Sequence, residues 1–275
     1  MRLRAVVISV AFVLLAGCTA EPEPGKAVSL AHIHGLGVDP ADGTLYAASH
    51  HGLFSVDGTG KPQQVAGRTQ DFMGFTVVGP NHFLGSGHPG LGDDEQPPNL
   101  GLIESTDGGN NWKQLSLSGK ADFHAMEAKH DQVYGFDSQT GRIMVSDDTK
   151  TWEERAALPL ADIAVSPDSA DEILATTEQG VQRSTDEARN FSPVDGSPTL
   201  FFIDWARTER LVGVAPGGVV HVSDDGGESW SEAGSVSGEP QAILAHGDAD
   251  VYIATEEAIY RSTDNGATFR VFQRL

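Results

Sequence analysis

His32 and His34 are separated by one residue, so on an extended strand both imidazoles project from the same face. Further along come His50 and His51, Asp71 and Met73, His88, and the run Asp122, His124 and Met126. Imidazole, thioether and carboxylate together make a ligand set for a late transition metal. Softness and the general affinity order favour copper, and zinc accepts the same histidines. His32, His34, His50, His51, His88 and His124 are therefore the candidate metal ligands. The same side chains would also serve a small polar ligand without any metal. A second chemistry belongs to the carboxylates. Two of Asp71, Asp122, Asp162 and Asp204, used as general acid and base, would suit glycoside hydrolysis, and their separation would decide the matter. The Gly-rich stretches 85–90 and 215–218 lack the helix or lysine of a phosphate-binding loop.

Residues this far apart meet only if the chain repeatedly returns to one place, and the sequence carries such a repeat. The pattern Ser-x-Asp-x-x-x-x-aromatic runs from Ser105 to Trp112, Ser184 to Phe191, Ser223 to Trp230 and Ser262 to Phe269. Ser146 to Trp152 is the same pattern one residue short, and Ser55-Val-Asp57 is a degenerate copy with Pro62 in the aromatic position. The third-position aspartates are Asp57, Asp107, Asp148, Asp186, Asp225 and Asp264, spaced 38 to 50 residues apart. A carboxylate and a hydroxyl so placed bond the backbone of a tight turn, so these aspartates read as structural. Upstream of each turn the strand order recurs. An apolar strand such as His32 to Val38 precedes a β-branched or aromatic one such as Leu45 to Ala48, Val133 to Phe136 or Val251 to Ala254. A third strand enters the turn and a fourth leaves it. Four antiparallel strands in about forty residues is the signature of a propeller blade. The expectation is an all-β, six-bladed β-propeller over residues 29–275.

The repeat resembles the Asp-box, or bacterial neuraminidase repeat, of sialidases and other propellers. That resemblance implies a sialidase-like or glycosyl-hydrolase-like relative, or a scaffold that binds protein partners on one face, as photosystem-assembly factors and sorting receptors do. Sialidases hold the substrate carboxylate with three arginines and attack with a tyrosine. Here Arg142, Arg183 and Arg261 precede the turns, and Tyr46, Tyr134 and Tyr252 share one second-strand slot that reads as packing. A typical sialidase is not expected. In propellers the innermost strand starts near one channel mouth, and the loop joining the second and third strands reaches the same mouth. That rule collects all six candidate histidines at one mouth, from three consecutive blades.

The remaining features bound location and partners. Arg2 and Arg4 precede the apolar run Ala5 to Leu15, and Leu15-Ala16-Gly17-Cys18 resembles a lipobox. The resemblance implies a signal peptide over residues 1–17, lipid on Cys18, and an extracytoplasmic protein held at a membrane. Residues 18–28 are a short polar, proline-containing tether. Cys18 is the only cysteine, so the domain has no internal disulfide. With 39 acidic against 18 basic residues the formal charge is −21, which argues against a nucleic-acid partner.

Overall fold

Six four-stranded antiparallel sheets, each built from consecutive strands of the chain, form a six-bladed β-propeller in the computed structural model, which describes residues 30–275. The expected signal peptide, Cys18 and the expected tether fall outside the described residues, among which there is no helix. The innermost strands are Ile33–Val38, Asp71–Gly79, Phe123–Lys129, Asp162–Val165, Phe202–Arg207 and Pro240–His246. The second strands match expectation closely: Leu45–Ser49, Gln132–Asp137 and Asp250–Thr255 contain the β-branched and aromatic runs read from the sequence.

Apolar side chains alternate along these strands and fill the spaces between blades. Phe72, Phe75 and Phe83 of blade two pack against Ala48 and Leu53 of blade one. Ala164 and Leu174 of blade four meet Ile203 and Trp205 of blade five. Each large apolar side chain removed from water there contributes about 1.5–3 kcal/mol, so the inter-blade seams do much to hold the ring together. Tyr134 is fully buried and Tyr252 nearly so, which bears out the packing role of that slot.

The turns behave as their composition requires. Ser105 Oγ donates to Asp107 Oδ1 (2.9 Å) and accepts from Gly109 N (2.9 Å), while Asp107 Oδ1 accepts from Asn111 N (2.8 Å). Asp186, Asp225 and Asp264 repeat this bonding. Asp148 and Asp57 hold their shorter turns by accepting from Thr151 N and Thr59 N. Backbone bonds lower the Asp57 and Asp148 carboxyls below the ordinary carboxylate range, to about 2 for Asp148.

Among the described residues the ring closes without strand exchange. Blade six is a sheet of its own four strands, and Leu30 and Ala31 belong to no strand. Closure is instead a packed seam in which Leu36 and Phe54 meet Ala242, Ala254 and Ile259. Side-chain acceptors reinforce the successive junctions. Glu127 takes Val165 N (2.6 Å), Asp162 takes Ile203 N (3.0 Å), Asp204 takes Ala245 N (2.8 Å) and Gln241 takes Ile33 N (2.9 Å). These four contacts run blade to blade from three through six and back to one. The inner strands of blades one and two approach closely. A Cβ on Gly37 would lie 2.5 Å from Val77 Cγ2, so a larger residue would push the blades apart.

Candidate metal centre

His32, His34 and His50 meet at the start of blade one. The first strand begins at Ile33, one residue later than the sequence pattern suggests, and His32 precedes it in the left-handed region (φ 45°). The pairing of Ile33 with Ser49 and of Gly35 with Ala48 leaves His34 as the extra residue of a bulge. The two side chains therefore do not share a face by simple alternation. The turn at His32 and the bulge at His34 together bring their rings to 4.6 Å, centroid to centroid. His50 follows the second strand, with its ring 4.6 Å from His34 and 5.1 Å from His32.

One nitrogen from each ring lies within 4.8 Å of the other two. His34 Nε2 and His50 Nε2 are 3.3 Å apart. Behind the group, His50 Nδ1 is 2.7 Å from Asp71 Oδ1 on blade two. The carboxylate can only accept, so Nδ1 carries the proton and Nε2 turns its lone pair toward His34. Burial, followed by the neighbouring His32 and His50, pushes His34 down to about 3. Burial and His50 also lower His32. Neutral imidazole is the state a metal requires.

His32 meets a residue the sequence reading missed. Gln241 Nε2 lies 3.2 Å from His32 Nδ1, while Gln241 Oε1 is fixed on Ile33 N. The amide therefore donates to Nδ1 and places the His32 proton on Nε2. To ligate, His32 must either shed that contact and use Nδ1 or transfer its proton. Nothing local marks Gln241, since only ring closure sets it beside His32.

The other expected ligands separate from this group. His51 is exposed in the same turn as His50, and its backbone N donates to Ser49 Oγ. His88 ends the second strand of blade two, and His124 lies on the first strand of blade three; both face Asp122. His124 Nε2 is 2.9 Å and His88 Nε2 3.8 Å from Asp122 Oδ2. A Cβ on Gly87 would sit 2.0 Å from Asp71 O, so only glycine there lets His88 approach blade two's first strand. Met126 lines the channel, but its Sδ would lie 2.8 Å from a Cβ on Gly74, the mark of a packing residue.

His34 and His124 also line the central channel, a cavity of about 410 Å³ shared with Asp162 and Asp204. The four carboxylates expected as acid or base all have partners. Asp71 bonds His50. Burial pushes the Asp122 carboxyl up, but His124, Ser138 and the nearby His88 outweigh it and leave that group below the usual range. Asp162 also accepts from Ile163 N (2.9 Å), and burial, against its two backbone bonds, raises it to about 8. Burial, followed by Glu127, raises Asp204 to about 6.

No family model and no curated protein matches this chain. Solved structures do. YCF48 bound to a D1 peptide is 19% identical, covers 89% of this chain and 83% of that one, and superposes with a TM-score of 0.56. Virginiamycin B lyase from Staphylococcus aureus, in a catalytically inactive form with quinupristin, is 14% identical over 90% of this chain and 86% of that one, with a TM-score of 0.58. An ancestral GH74 enzyme is 13% identical with a TM-score of 0.55; the match covers 88% of this chain and 38% of that one. At these identities the likeness is one of fold, and it places the chain among β-propellers.

Proposed function

We propose that this chain is an extracytoplasmic binding module, tethered to a membrane through lipid on Cys18, whose propeller holds a copper or zinc ion with His32, His34 and His50. The observation that carries the reading is the 3.3 Å between His34 Nε2 and His50 Nε2. Two imidazole nitrogens bound to one tetrahedral ion at about 2.0–2.1 Å stand about 3.3–3.4 Å apart. A tetragonal copper(II) site would bring neighbouring nitrogens nearer, to about 2.8 Å, so zinc or copper(I) suits the spacing better. Asp71 behind His50 supplies the outer carboxylate that orients a ligating imidazole. Three protein ligands leave a coordination position for water or a small polar ligand from the adjoining channel.

Peptide binding by the YCF48 propeller supports treating the fold as a binding platform. The repeated Ser–Asp turns support kinship with the Asp-box propellers, and the lipobox-like segment supports export. The test is elemental analysis of the purified full-length chain in detergent, followed by copper and zinc titration after chelator stripping. Stoichiometric metal that disappears on changing His32 and His34 to alanine, with the fold intact, is the expected result. Metal no higher than background, or affinity unchanged in that double variant, overturns the proposal.

A further inference from the structure

We propose that blades three to five carry a docking groove for an extended, basic segment of a partner protein, which seats an apolar side chain flanked by lysine or arginine. This goes beyond the metal reading and does not depend on the ion.

The groove encloses about 720 Å³. Its apolar lining comes from Phe136 of blade three, Leu160 leading into blade four, and Leu200 and Phe201 leading into blade five. Leu200 is 1% exposed and lies over Gly213, where a Cβ would meet its Cδ1 at 2.4 Å, so its position is fixed. Phe136, Leu160 and Phe201 are only half-buried. Such side chains around a cavity leave apolar area for a ligand to cover.

The walls are formed in advance. Thr176 is fully buried on the second strand of blade four. Its carbonyl accepts from Ala161 N and its hydroxyl donates to Phe201 O, each at 2.9 Å. One residue therefore pins both connectors that flank the groove. Thr177 Oγ1 donates to Gly180 O (2.8 Å) and accepts from Gln179 N (3.2 Å), which sets the turn carrying Glu178. Binding needs little further ordering of the protein. These segments belong to the same mouth as His32 and His50, since each joins a second strand to a third or leads into an innermost strand.

Charge chooses the occupant. Glu178 is the one charged residue of the lining; it is exposed and has no ion-pair partner among the described residues. Segments 158–161, 178–179 and 194–201, which carry nearly all the lining, add the exposed Asp195 and hold no lysine or arginine. The whole chain carries a formal charge of −21, so its field draws a cationic partner and repels an acidic one. An extended peptide suits this arrangement. One apolar side chain enters the pocket while the long stems of neighbouring lysines or arginines reach the carboxylates at its rim.

The probe is a rhodamine-labelled peptide, Gly-Lys-Phe-Lys-Gly, titrated into the chelator-stripped full-length chain in detergent. Binding is read by fluorescence anisotropy against empty micelles. Peptides with glutamate for lysine, or serine for phenylalanine, should bind at least about tenfold more weakly. Glu178→Lys should weaken binding of the lysine peptide about tenfold or more, and Thr199→Trp, which fills the groove, should do the same. Both positions are exposed, and circular dichroism checks that each variant folds. Glu209→Lys makes the same charge change in a turn at the opposite mouth and should leave affinity within about twofold. Equal weakening by Glu178→Lys and Glu209→Lys would reduce the effect to net charge and overturn the groove. So would unchanged affinity in Thr199→Trp, no binding of the lysine peptide, or equal binding of the glutamate peptide. Loss of binding when His32 and His34 are changed to alanine would seat the peptide at the histidines and overturn it too. Binding retained in that double variant supports the groove whatever the metal titration shows, so either proposal can fail alone.

Discussion

Asp162 and Asp204, on the inner strands of blades four and five, each give a carboxylate oxygen to a backbone N–H of the next blade. Beside the same channel, which His34 lines, His32, His34 and His50 turn nitrogens toward one another. The acids belong to the fold, because each satisfies a donor that would otherwise be unpaired at a seam. The imidazoles complete no seam, and they resist protonation. Burial first, and then the neighbouring imidazoles, keep His34 neutral far below its ordinary range, a penalty felt only as pH falls. Polar groups that complete a seam explain themselves. Polar groups crowded against their own kind call for a ligand, and that contrast carries the functional reading.

The largest expected effect breaks the comparison on the histidine side. His34→Ala should lower zinc or copper affinity by about a hundredfold or more, while the thermal midpoint changes little, as read by titration and calorimetry on the same preparation. On the acid side the effect should reverse. Asp204→Ala leaves Ala245 N unpaired, so it should cost about 1–3 kcal/mol of stability and leave metal affinity within twofold. Equal loss of stability in both variants would erase the distinction drawn here.

A pH series sharpens it further. Asp162 is raised from 3.8 to about 8 in the folded state, so the folded chain binds the extra proton. Its contribution is full below pH 4 and is lost as pH rises through about 8, and Asp162→Asn should remove that falling component. His34 is depressed from 6.5 to about 3, so its contribution is present above pH 6.5 and is lost as pH falls toward 3. His34→Gln should remove a component of the opposite slope. Each slope is bounded by about 1.4 kcal/mol per pH unit. Thermal midpoints from pH 4 to 8 for the wild type and both variants would show whether the slopes oppose one another.

The smallest effect tests the one residue that belongs to both sides. Gln241 fastens blade six to Ile33 and also donates to His32. Gln241→Glu keeps an acceptor for Ile33 N but reverses the polarity toward His32, which frees His32 Nε2 as a ligand. Metal should bind up to about tenfold more tightly, and unchanged or weaker binding would show that the His32 tautomer does not matter.

Much of the fold was legible because it is repetitive. The aspartates at 107, 186, 225 and 264 bond one turn in one way, and that local chemistry repeats whatever surrounds it. The channel mouth was legible in outline, since blade geometry assigns His50 and His34 to one end. Its details were not. His51 sits one residue from His50 yet outside the group. Asp162 and Asp204 look like free acids in sequence and are seam acceptors in space.

The sequence by itself determined six repeats, the strand order within each, the turn aspartates and which blades carry histidine, because each follows from interactions within about forty residues. Tertiary structure alone decided which imidazoles touch, which carboxylates are committed to backbone, how blade six meets blade one without exchanging a strand, and that Gln241 stands beside His32. Those contacts join residues up to 209 apart, and their geometry depends on a bulge and a closed ring, neither of which a local pattern encodes.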